Sequence, residues 1–85
     1  MNSILVNSTL GKVENLQEIL PGEFAVVNAW REKGILAHLL LKEAGTGAVL
    51  IFNEADQVRV EQLISELPLS KYFEKTEYIL LDKQF

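Results

Sequence analysis

Along this chain the spacing of apolar residues switches between two periods, and the switches mark out its elements. Residues 3–10, SILVNSTL, split into two alternating sets, Ile4, Val6, Ser8 and Leu5, Asn7, Thr9. Their β-branched content predicts a first strand, which Gly11 ends. From Val13 onward the apolar positions Val13, Leu16, Leu20, Phe24 and Val27 recur at steps of three and four, one face of a helix. Gly34 stands where the C-terminal cap belongs. Pro21 has no amide hydrogen and disfavours a helical Leu20, so LPGE is expected to kink this helix or split it into residues 13–20 and a second segment reaching Lys33.

Residues 35–42 and 48–52 are apolar runs of strand length joined by EAGTG, whose two glycines supply the positive φ angles of a short hairpin turn. Asn53 reads as the N-cap of a second helix, with Glu54 and Asp56 against its dipole and Val60, Leu63, Ile64 and Leu67 as its inward stripe. Pro68 stops that helix, and residues 74–82 form a last strand. The order β-α-β-β-α-β predicts an α+β, ferredoxin-like subunit: a four-stranded antiparallel sheet with both helices on one face.

Strict alternation puts Ile35, Ala37, Leu39 and Leu41 on one face of the second strand and Leu36, His38, Leu40 and Lys42 on the other. The third strand, residues 48–52, is apolar on both sides. Two helices cover only one face of such a sheet, so the expected partner is a second copy of the chain packed on the open face.

Eighty-five residues make a single domain, 1–85, whose solitary core is small for its surface. A net charge of −4 with scattered Lys and Arg gives no basic footprint for nucleic acid. No apolar run approaches the roughly 20 residues that span a bilayer. With no basic segment followed by an apolar stretch at the N-terminus, a soluble, cytoplasmic protein with no membrane partner is expected. There is no cysteine and only one histidine, which leaves no ligand set for a structural metal.

Residues 34–72, GILAHLLLKEAGTGAVLIFNEADQVRVEQLISELPLSKY, resemble the second half of the muconolactone isomerase family. The shared features are Gly34 closing the first helix, AHL at Ala37, His38 and Leu39, and LPLSKY where the family has Leu-Pro-Leu, two residues and Tyr. The resemblance implies a dimeric α+β barrel of two ferredoxin-like subunits and a proton shift on an unsaturated lactone acid without any cofactor. That reaction requires a base to remove and return the proton and a donor to steady the dienolate oxygen. Counting back from Gly34 places the family's first-helix glutamate on Glu23, but the basic residues flanking it there are replaced by Gly22 and Phe24.

The candidate catalytic pair is therefore Glu23 and His38. Glu23 shares a helix face with Val27 and Trp30, where apolar surroundings raise a carboxyl pKa; equally, it stands in the first turn of a helix restarting at Pro21, where it only complements the dipole. His38 matches the family's histidine, and its alternative is a core histidine bonded to a backbone carbonyl. Lys42 is a candidate holder of a substrate carboxylate, against a merely solvated strand end. Trp30 and Tyr72 are candidate substrate contacts, against anchoring the helix and pinning LPLSKY, respectively. Two rivals stand beside the isomerase: a non-catalytic dimer binding a small apolar molecule or a protein partner, which loss of the residues flanking Glu23 favours, and a cofactor-free oxygenase of a related barrel family.

Overall fold

A computed structural model describes residues 2–82 and residue 84. Its elements run β1 (Asn2–Leu10), α1 (Leu16–Glu32), β2 (Leu36–Leu41), β3 (Gly47–Phe52), α2 (Gln57–Ser65) and β4 (Phe73–Asp82). The strands pair antiparallel in the order β2-β3-β1-β4, so β1 and β2 run the same way on either side of β3, with α1 crossing between them. This is the ferredoxin-like α+β fold the apolar periods predict. Neither helix among the described residues is long and apolar enough to cross a membrane.

Cross-strand register sorts the sheet into rows. Facing the helices are Leu36, Phe52, Ile4 and Leu80; then Leu39, Leu50, Val6 and Tyr78; then Leu41, Ala48, Ser8 and Thr76. Val27 and Trp30 of α1 and Val60, Leu63 and Ile64 of α2 close over the first two rows to form the core. Trp30 packs on Phe52 with ring centroids 5.5 Å apart and planes at 60°, a tilted contact that suits the ring quadrupoles.

Three expectations are corrected. Helix α1 runs through Pro21 without a break, because the proline sits in its second turn with its ring exposed. Only the bond to the Gln17 carbonyl is lost there, and that carbonyl belongs to an exposed residue open to water. The second helix starts not at Asn53 but after Asp56, whose carboxylate accepts the Val58 N–H at 3.0 Å. Glu54 spends its Oε1 on the N–H groups of Ala55 and Asp56, and Asn53 turns back to donate to the Gly34 carbonyl, so the capping role moves three residues on.

The third correction concerns β2. Leu36 pairs with Phe52 but His38 pairs with Ile51, so β2 carries an extra residue at a bulge, and alternation inverts across it. Leu36 falls beneath the helices with 6% of its surface exposed, while His38 and Leu40 face the opposite side. Glycine at the end of α1 behaves as its sequence position predicts: Gly34 takes φ 75°, and the Ile35 N–H returns to the Trp30 carbonyl at 2.9 Å.

In the β2–β3 turn, Ala44 and Gly45 take φ 58° and 69°, so the left-handed conformation starts one residue before the first glycine. Gly47 follows at φ 152°, and a Cβ there would run into the Ser8 carbonyl on the neighbouring strand. Gly47→Ala is therefore expected to destabilise the fold by about 2–3 kcal/mol, through strain and strand separation together, read as a lowered urea midpoint.

Candidate active site

The third inward row explains an apolar cavity that α1 covers. Where the other rows carry Phe52 and Ile4, or Leu50 and Val6, this one carries Ala48 and Ser8. Small side chains at the end of the sheet leave space under the N-terminal half of α1, a cavity of about 260 Å³. Leu16, Leu20, Glu23, Phe24 and Val27, at steps of three and four, form its roof; Leu67, Leu69 and Phe73 close one end. Ser8 is fully buried, and its one hydroxyl proton is spent: it donates to the Ala48 carbonyl at 2.9 Å, while the oxygen accepts from the Ala48 N–H at 3.3 Å.

The polar groups left to a ligand are therefore few. Glu23 lines the wall half-buried, and its Oε1 accepts the Leu69 N–H at 3.0 Å. Burial disfavours the carboxylate and raises its pKa, and the Leu69 hydrogen bond offsets part of that rise. Lys42, at the end of β2, also lines the cavity, and its ammonium donates only a long 3.5 Å bond to Thr9 Oγ1. One acid and one ammonium in a largely apolar cavity can bind a small ring, move a proton and hold a negative charge.

Of the residues singled out by sequence, the cavity gathers Glu23 and Lys42. His38 is not brought to them: it lies exposed on the other face of the sheet, paired with Ile51, because of the bulge in β2. Trp30 is buried in the core against Phe52, and does not line the cavity. Tyr72 does not line the cavity either; its main chain holds the LPLSKY turn, the N–H donating to the Leu69 carbonyl at 2.9 Å and the carbonyl accepting from the Gly11 N–H at 2.8 Å. Sequence reasoning missed Ser8, Ala48, Leu67 and Leu69. The signal for the first two was present: small residues at inward positions of strands otherwise filled by Ile, Val, Leu and Phe.

Fold and cavity together define a ferredoxin-like α+β protein with an apolar chamber facing a single carboxyl group. No family model matches the chain, and no curated protein matches it by sequence. Solved structures do. An antibiotic biosynthesis monooxygenase superposes with a TM-score of 0.65 at 14% identity, covering 98% of this chain and 98% of that one. A 5-chloro-2-hydroxyhydroquinone dehydrochlorinase from Burkholderia phenoliruptrix AC1100, solved in complex with 2,5-dihydroxybenzoquinone, superposes with a TM-score of 0.58 at 15% identity, covering 95% of this chain and 93% of that one. At these identities the likeness is one of fold, and it does not single out muconolactone isomerase.

The raised pKa of Glu23 has a stability consequence. A carboxyl held above its ordinary 4.5 binds its proton more tightly in the folded than in the unfolded chain. Its contribution therefore favours folding below pH 4.5 and is lost as pH rises through the higher folded value. Glu23→Gln, which cannot ionise, is expected to be more stable than the wild type at pH 7. The gain is a fraction of a kcal/mol, because water still screens a half-exposed carboxylate. Thermal melts across pH should show the difference closing in acid.

Proposed function

We propose that this protein catalyses cofactor-independent proton transfer on a small, oxygenated ring compound bound in the cavity under α1, with Glu23 as the base. The observation that carries this reading is a carboxyl group with an upward-shifted pKa on the wall of a largely apolar chamber. Isomerisation of an unsaturated lactone acid is the leading reaction. Glu23 takes a proton from a ring-system carbon, the electron pair moves into the conjugated carbonyl, and the proton returns to the far carbon of the dienolate. Lys42 receives the substrate's carboxylate or the developing oxyanion, in place of His38, which the resemblance offers as donor or second proton carrier. Residues 34–72 support the lactone, by their similarity to the muconolactone isomerase family.

The ring-directed names of the two structural neighbours are compatible with the same first step. Oxygenation or dehydrochlorination of a hydroxylated ring also begins well with deprotonation, so phenolic and quinonoid compounds belong in the same assay as lactones. The largely apolar lining favours one rival, a carrier of a small apolar molecule with no chemistry.

Glu23→Gln is expected to lower turnover of the active ring compound by roughly 10²–10⁴-fold with the fold intact. Wild-type activity should rise with pH through the raised Glu23 pKa and then level off, because the base works ionised. Ala48→Leu, which fills the floor of the chamber, should abolish binding, and His38→Ala should leave turnover within about twofold. Binding that survives Glu23→Gln in a protein whose wild type turns over nothing would establish the carrier instead.

The assembly proposed is a homodimer through the open sheet face. Its rows read His38, Ile51, Leu5, Ile79 and then Leu40, Val49, Asn7, Glu77. Leu40 and Ile79 are 53% and 45% exposed in the single subunit, an apolar cost that a second copy would remove. Light scattering at micromolar concentration should report a dimer, and Leu40→Glu a folded monomer; a wild-type monomer would refute this assembly.

A further inference from the structure

The LPLSKY segment closes one end of the chamber and also makes the only protein hydrogen bond to the Glu23 carboxyl among the described residues. The donor is not a side chain. It is the main-chain N–H of Leu69, 46 residues along the chain from Glu23, and it reaches Oε1 at 3.0 Å. Main-chain bonds fix that N–H on both sides. The Leu67 N–H donates to the Ile64 carbonyl at 3.0 Å, the Ser70 N–H to the Leu67 carbonyl at 3.0 Å, and the Tyr72 N–H to the Leu69 carbonyl at 2.9 Å. Leu67 and Leu69 are themselves buried, 3% and 6% exposed, so the turn cannot swing away without uncovering both. Pro68, which stands between them beyond the end of α2, has no amide hydrogen to compete for the carboxylate.

We propose that the Leu69 N–H is the positioning group of the site: it holds Oε1 of Glu23 on the wall of the cavity and leaves Oε2 as the oxygen presented to the ligand. The inference rests on the reading of Glu23 as base and adds what orients it. A glutamate on a helix has three freely turning side-chain torsions, and a single charge-assisted bond to an immobile amide removes most of that freedom. The same bond favours the ionised form, against burial, so the turn also sets the pH at which the base becomes available. Lys42 is the other charged group among the described residues lining the cavity, and it comes from β2 rather than from α1 or the turn.

Proton NMR of the unmodified protein gives the first arm. The Leu69 amide shift is expected to titrate with the same midpoint as the Glu23 side-chain carboxyl, with smaller movements at Leu67 and Ser70, and Glu23→Gln should erase that titration. The second arm replaces Leu69 with leucic acid, its α-hydroxy analogue, which keeps the side chain and removes the N–H. The Glu23 midpoint should then move up, and the acidic limb of the kcat/KM profile should move up with it, a several-fold loss below the limb with the plateau little changed. A Leu69 amide shift that stays flat while Glu23 titrates, or an ester variant with an unmoved Glu23 midpoint, overturns the proposal. Should the ester variant not fold, the amide titration decides alone. Absence of any turnover would end the reading of Glu23 as a base without touching either NMR arm, so the two failures are separable.

Discussion

The contact of Trp30 on Phe52 ties the C-terminal half of α1 to the sheet, and the chamber exists because the sheet under its N-terminal half carries Ala48 and Ser8 where the other rows carry large side chains. Inward side chains shrink along the sheet from Phe52 and Ile4 to Ala48 and Ser8, while α1 keeps a single continuous apolar stripe above them. A helix held rigidly at its C-terminal half cannot settle onto small residues under its N-terminal half without bending. The gap is therefore a property of the packing, paid for in dispersion contacts that the lining side chains do not make.

Within that gap Glu23 is under two opposed influences. Burial penalises its charge, and the Leu69 amide rewards it. An aliphatic residue in its place would pack better; a carboxyl there is held at some loss of stability, as the proposed base would be. Pro21 and Gly22 precede it, yet they neither break the helix nor open it, so the acid is carried by regular helical backbone, where its direction is well defined.

The bulge in β2 separates two surfaces that a regular strand would have mixed. By inverting alternation after Leu36, it gives Leu36 to the core and His38 and Leu40 to the open face. One extra residue thus moves the lone histidine away from the chamber and toward the surface proposed as the subunit contact. Glu14, Glu18, Glu32, Lys33, Arg59, Glu61 and Glu66 are all exposed, and they lie away from that face on helices and their flanks.

Apolar period determined by itself which segments are strands and helices, the βαββαβ order and the inward stripe of α2, because these depend on side-chain direction repeating within one element. Gly34 and Pro68 marked their helix ends through local backbone limits that no distant contact needs to supply. Glu23 was legible as a candidate through the resemblance, counted back from Gly34; its local place on a helix face with Val27 and Trp30 was compatible with that reading and equally with a plain helix start. Tertiary structure alone decided the rest. The bulge that parts His38 from Glu23 is a matter of how β2 registers against β3, the volume under α1 depends on Ser8 and Ala48 lying side by side from different strands, and the Leu69 amide meets Glu23 across most of the chain. Each is a relation between segments remote in sequence, and a periodicity within one segment carries no information about what will face it.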